Sequence, residues 1–178
     1  MSILEEKLNP LITSVNISLI NKNFYAALTT ALTLPDICAS LQNGGRTSRI
    51  YYTEFIKEYF LPIHSYDEDF VEASDFYALR CAVLHNSTTN IEEQRARKII
   101  NKFVLTYSTT GNIFLHNNYS INNGGTNKKN LNIDISEFCL EIIDAVNSFK
   151  FLNNDNEAIN KTASEMMSII NTDHDFIF

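Results

Sequence analysis

The apolar residues of this chain recur mostly three and four positions apart, the period of an α-helix packed along one side. Leu11, Ile12, Val15, Leu19 and Ile20 make a first stripe, with Asn9-Pro10 placed to cap and begin it. Asn21-Lys22-Asn23 interrupts the stripe; Phe24, Ala27, Leu28, Ala31 and Leu32 resume it behind Asn23 as cap. Pro35 then predicts a kink, or an end and a restart that would set Asp36 near a helix N-terminus. Asn43-Gly44-Gly45 predicts a loop. Ile50, Tyr51, Phe55, Tyr59 and Phe60 predict a helix capped by Ser48 and ended by Leu61-Pro62. A polar, acidic connection from His64 to Asp69 leads to the next helix, Asp75 to Asn86, with Ser74 or Asp69 as cap and Asn86-Ser87 as stop.

The pattern changes past residue 100. Phe103 to Tyr107 and Ile113 to His116 are β-branched and aromatic runs, and the Ser108–Asn112 segment between them predicts a hairpin. Asn122 to Asn130 predicts a flexible loop. Leu131, Ile133 and Ile135 alternate with polar residues as a third short strand would. Ser136 as cap and Phe138, Cys139, Ile142, Ile143, Val146 and Phe149 predict another helix, and a last one runs from about Asn156 to Ile170. The fold class is therefore mainly α, one domain over residues 1–178, with a small antiparallel β insertion at about 102–135.

The helix from Asp75 to Asn86 carries the candidate chemistry. At about 100° per residue, Phe76, Leu79, Val83 and Leu84 share a face, and Arg80 falls in the same stripe. A guanidinium out of water needs a carboxylate, a phosphate or a wet cleft. His85 ends the helix, where the negative dipole end favours a charged imidazole. It lies about 140° around the helix from Arg80 and roughly 7.5 Å along it, a wide separation that suits a cleft shared by two subunits.

Composition narrows the partners. The net charge is −7, and 44% apolar against 20% charged residues is an ordinary globular composition. Neither half is a basic arm, which argues against tight non-specific DNA binding but leaves room for a local phosphate site. Cys38, Cys81 and Cys139 are odd in number and far apart, as free thiols of a reducing cytosol are. No His/Cys cluster has zinc-ligand spacing, no signal peptide begins the chain, and no uninterrupted apolar run approaches the length of a membrane span. The expectation is a cytoplasmic protein without membrane, metal or cofactor.

The string Tyr77-Ala78-Leu79-Arg80-Cys81-Ala82-Val83-Leu84-His85-Asn86 resembles the motif helix of HEPN-domain proteins, small helical domains of prokaryotic toxins and defence systems. The Ala31–Cys38 stretch and the hairpin after the motif add to the likeness, which covers about residues 10 to 90 and, more loosely, 136–150. The position after the arginine, commonly polar in the family, is Cys81 here. The resemblance implies a HEPN-like helical bundle and a metal-independent endoribonuclease acting as a homodimer. It also implies a toxin or phage-defence role and an antitoxin or other protein partner. Arg80 would then clamp a phosphate and His85 would move protons, on RNA that supplies its own 2′-hydroxyl. Asn86, Arg95, Arg97 and Lys98 are the candidate substrate contacts.

Other readings stand beside this one. The same helix in a non-catalytic HEPN-like module would bind a nucleotide or a protein. Arg80 would be purely structural if sealed against Asp36 or Asp75. His64, His116 and His174 read as isolated histidines, Cys81 as a small core residue, and Tyr51-Tyr52 as core packing in preference to a base-stacking pair.

Overall fold

Apolar faces that cannot be covered alone decide the architecture. The computed structural model describes residues 2–67, 69–108, 114–122 and 128–169. Helices α1 (Ile3–Ile20) and α2 (Phe24–Gln42) pack against each other across the Asn21-Lys22-Asn23 turn. Helix α3 (Arg49–Phe55) runs into a π-helical turn, Ile56–Phe60, and is followed by α4 (Ala73–Asn86). After three strands come α5 (Ile135–Asn153), laid along α2, and the short α6 (Glu157–Ser164), set against α1 and α2.

Several starts and stops follow the sequence signals. Asn23 accepts from Ala26 N, Ser48 from Tyr51 N and Asn156 from Ala158 N. Others lie elsewhere. Helix α1 begins before Asn9-Pro10, because Ser2 and Glu5 form a reciprocal capping box, and Pro10 sits exposed within the helix. Helix α2 runs through Pro35 without ending, so Asp36 is a mid-helix residue and not a helix-start one. Glu72 and Asp75, not Ser74 or Asp69, cap α4. Asp134 caps α5 by accepting from Ser136 N and Glu137 N.

The sheet departs from the antiparallel insertion expected of it. Strands β1 (Lys102–Thr106), β2 (Asn118–Asn122) and β3 (Lys128–Asp134) lie in the order β1-β3-β2. β1 pairs parallel with β3, Phe103 opposite Leu131, while β2 pairs antiparallel with β3, Tyr119 opposite Leu131. Among the described residues β1 and β2 do not pair, so they are not the two arms of a hairpin. Of the expected second strand, Ile113 lies outside the described residues and Phe114 to His116 are not extended into a ladder. The central place goes to the strand with two fully buried side chains, Leu131 and Ile133, and polar β2 takes an edge.

Phe76 of α4 is the hub of the core beneath the site. Its ring lies 5.1 Å from Phe60, 5.7 Å from Phe103 and 6.1 Å from Phe138, and all four are fully buried. With Leu79 also buried, these contacts set the rotation of α4, and Arg80 is thereby turned toward α2. Helix α2 is long and apolar enough to cross a membrane by length and composition alone; half of that window is buried inside the protein.

Candidate functional site: the Asp36–Arg80–His85 chain

Helix α4 ends at Asn86, nearly two turns after Arg80. Ser87 adopts a left-handed conformation, φ 51°, and donates to Val83 O while Thr88 N donates to Ala82 O. This is the closing pattern usually made with glycine. It leaves His85 and Asn86 exposed on the last turn.

Arg80 reaches in two directions. Its Nε donates to Asp36 Oδ2 at 2.6 Å, and its Nη1 lies 3.2 Å from His85 Nε2. The long guanidinium arm thus closes the distance that the helix geometry opens, and the pair meets within one chain. A second subunit is not needed to bring these two side chains together. A guanidinium only donates, so His85 Nε2 is the acceptor in this contact and its ring proton sits on Nδ1. Of the five N–H groups of Arg80, one goes to Asp36 and one to His85, which leaves three for another acceptor.

The Arg80 and Asp36 side chains are 22% and 17% exposed, so the pair is at the edge of the protein and not sealed inside it. Burial pushes the Asp36 carboxyl above its ordinary value, although the charge and hydrogen bond of Arg80 pull it down. Burial works to lower Arg80, but Asp36 holds it above its ordinary value. The two shifts disagree on whether the pair favours ionisation. The 2.6 Å geometry decides for an ionised pair, weakened on the Asp36 side by lost hydration. The second oxygen of Asp36, Oδ1, has no hydrogen-bond partner among the described residues.

Tyr52 is the residue that sequence reading placed in the core without a further role. It is fully buried, and its hydroxyl has no hydrogen-bond partner among the described residues. Burial, with the Asp36 charge added, pushes this phenol up, while Arg80 opposes the shift; Cys81 and Tyr77 are also among its neighbours. An orphan donor beside the ion pair is costly, and no sequence signal marks it. Cys81 is half-buried, whereas Cys38 and Cys139 are buried, and burial pushes the Cys139 thiol up to about 12.

The remaining candidates are more dispersed. Asn86 is exposed on the turn of His85. Lys98 N and Ile99 N donate to Asp75, which ties this segment to the first turn of α4, roughly 15 Å along the helix from His85. Arg95 and Lys98 are exposed, and Arg97 Nε donates to Glu92 O. Asp75 is thus not the partner of Arg80. It is fully buried, closes the α4 capping box and holds the following loop.

His64 and His116 are not isolated. His116 Nε2 lies 3.0 Å from Glu141 Oε1 and His64 Nδ1 lies 3.5 Å from it, while Tyr66 donates to Glu141 Oε2 at 2.6 Å. His64 Nε2 is also 3.0 Å from the Glu141 main-chain oxygen. Residues 52 positions apart in sequence therefore meet on one α5 carboxylate, which no local spacing reveals. His174 lies outside the described residues. Among the described residues no group of three or more His, Cys, Asp or Glu is arranged to hold a metal ion.

Comparison with family models, with curated proteins and with solved structures returns no match to this chain.

Proposed function

We propose that the chain is a HEPN-like, metal-independent endoribonuclease, with His85 as acid and base and Arg80 as phosphate clamp. The single observation behind this reading is the Asp36–Arg80–His85 chain of contacts: a guanidinium held at Nε, touching an imidazole acceptor, with three donors left. Asp36 is the positioning residue. Its hydrogen bond restricts Arg80 to one approach, and a fixed clamp is worth more to a transition state than a swinging one.

The step needs only RNA and these side chains. With Arg80 Nη1 turned from the ring to the phosphate, His85 Nε2 is free to take the proton of a 2′-hydroxyl, whose oxygen attacks the adjacent phosphorus. The P–O5′ bond breaks, the proton returns to the 5′-oxygen, and the products are a 2′,3′-cyclic phosphate and a 5′-hydroxyl. Arg80 holds the non-bridging oxygens as charge builds on them. A homodimer would place two such pairs across one cleft. The family resemblance, and no longer the separation of Arg80 and His85, is the reason to expect it.

Two features favour a second reading, a non-catalytic HEPN-like module that binds a nucleotide or a protein partner. Asp36 offsets much of the Arg80 charge, and Cys81 stands where the family commonly has a polar residue. Incubation of the purified protein with mixed RNA in EDTA separates the readings. Cleavage that leaves cyclic phosphate ends, and is lost in His85→Ala, supports the enzyme. Intact RNA, with binding lost in Arg80→Ala, supports the module.

A further inference from the structure

A cleft of about 360 Å³ lies between α2 and α6 and begins at the other side of Asp36. Ile37, Leu41 and Met166 give it apolar walls, and Asp36 and Glu165 bring carboxylates to it. The Asp36 residue that holds Arg80 through Oδ2 therefore also borders this cleft, with Oδ1 unpartnered among the described residues. Arg46, exposed between the cleft residues Gly45 and Thr47, makes no ion pair among the described residues. Arg46 thus stands exposed at the rim, and the cleft holds the Asp36 and Glu165 carboxylates beside the hydroxyls of Ser40, Thr47 and Thr162.

We propose that this cleft is the base subsite of the Arg80–His85 site and that it selects guanine. The inference rests on the ribonucleotide reading above. Apolar walls suit the faces of a heteroaromatic ring, and an ionised carboxylate only accepts, so on a base it pairs with N–H groups and not with carbonyl oxygens. Guanine is the base whose Watson–Crick edge offers two adjacent N–H donors, N1–H and the N2 amino group. A phosphate at Arg80 then sits one carboxylate away from its own base, with Asp36 Oδ1 taking part of the donor edge and Glu165 the rest. Uracil presents one donor between two carbonyl acceptors and meets carboxylate oxygens with like charge.

The test is equilibrium binding of the four nucleoside 3′-monophosphates and of inorganic phosphate to the full chain by calorimetry. It uses the wild type, Glu165→Gln, Thr162→Phe, which fills the cleft from α6, and Arg80→Ala. Glu165 is exposed, so its variant is expected to fold, and circular dichroism checks both cleft variants. The expected result is guanosine 3′-monophosphate bound roughly tenfold or more tighter than the others. Both cleft variants should bring it level with the rest while leaving phosphate affinity unchanged. Four nucleotides bound alike, with phosphate binding lost in Arg80→Ala, would overturn the subsite and leave the phosphate site standing. A guanosine preference that survives Thr162→Phe also overturns it. Binding of neither nucleotides nor phosphate overturns the subsite and the ribonucleotide reading together.

Discussion

Arg80 of α4 and Asp36 of α2 meet at 2.6 Å across the molecule, 44 positions apart in sequence, and Arg80 continues from there to His85. This bond joins the scaffold to the proposed site: it links α4 to α2 and aims the guanidinium. A partly exposed pair lies between a surface bridge and a buried one, so Asp36→Asn and Arg80→Ala should each destabilise the fold by about 1–3 kcal/mol. A double-mutant cycle by urea denaturation should return a coupling of at least about 0.5 kcal/mol. Additive effects would mean that the two side chains do not depend on each other.

Asp75 should matter more to stability than to binding. Its buried carboxylate takes Glu72 N, Lys98 N and Ile99 N. Asp75→Ala strands these donors, at about 1–3 kcal/mol for each one left unsatisfied. We expect a total loss of about 2–5 kcal/mol in urea denaturation, with the segment after Thr89 losing amide-exchange protection first. Unchanged stability would contradict the role assigned to Asp75.

The left-handed residue after α4 gives a prediction of opposite sign. Ser87 at φ 51° carries a side chain where glycine is free of strain. Ser87→Gly should stabilise the protein by about 0.5–1 kcal/mol, read as a raised urea midpoint at constant slope. A destabilisation would show that the Ser87 side chain makes a contribution the backbone geometry does not reveal.

The Arg80–His85 motif and most helices were legible in the sequence because a helix writes its period and its caps locally. Asn23, Ser48 and the stop after Asn86 are cases of this. Asp36 as the partner of Arg80 could be named only as one of two carboxylates. The choice depends on α2 continuing through Pro35 and on Asp75 being used by its own loop. The mixed sheet was hidden for a related reason: parallel pairing of β1 with β3 skips β2 and leaves no turn signature. The expected separation of Arg80 from His85 failed because it counted Cα positions and not the reach of the arginine side chain.

The Glu141 cluster predicts a pH dependence. Burial disfavours the charged ring of His116, but the hydrogen bond and charge of Glu141, with Glu137 and Asp134 beyond, raise it above its ordinary value. His64 and Tyr66 complete the surroundings of that carboxylate. A raised folded-state pKa stabilises fully below the unfolded value of 6.5 and loses that contribution as pH climbs through the folded value. Wild-type stability relative to His116→Gln should therefore fall as pH rises from the unfolded value through the raised folded value, in parallel urea titrations. A difference that stays constant, or grows with pH, would contradict the assigned ion pair.

The most direct measurement is cleavage of a mixed RNA substrate in EDTA by the wild type and by His85→Ala. His85 is exposed, so its loss should leave the thermal midpoint nearly unchanged. The wild type should produce fragments ending in 2′,3′-cyclic phosphate, and the variant should be slower by about 10²-fold or more. RNA left intact by the wild type, or cut equally well without His85, would contradict the proposed chemistry.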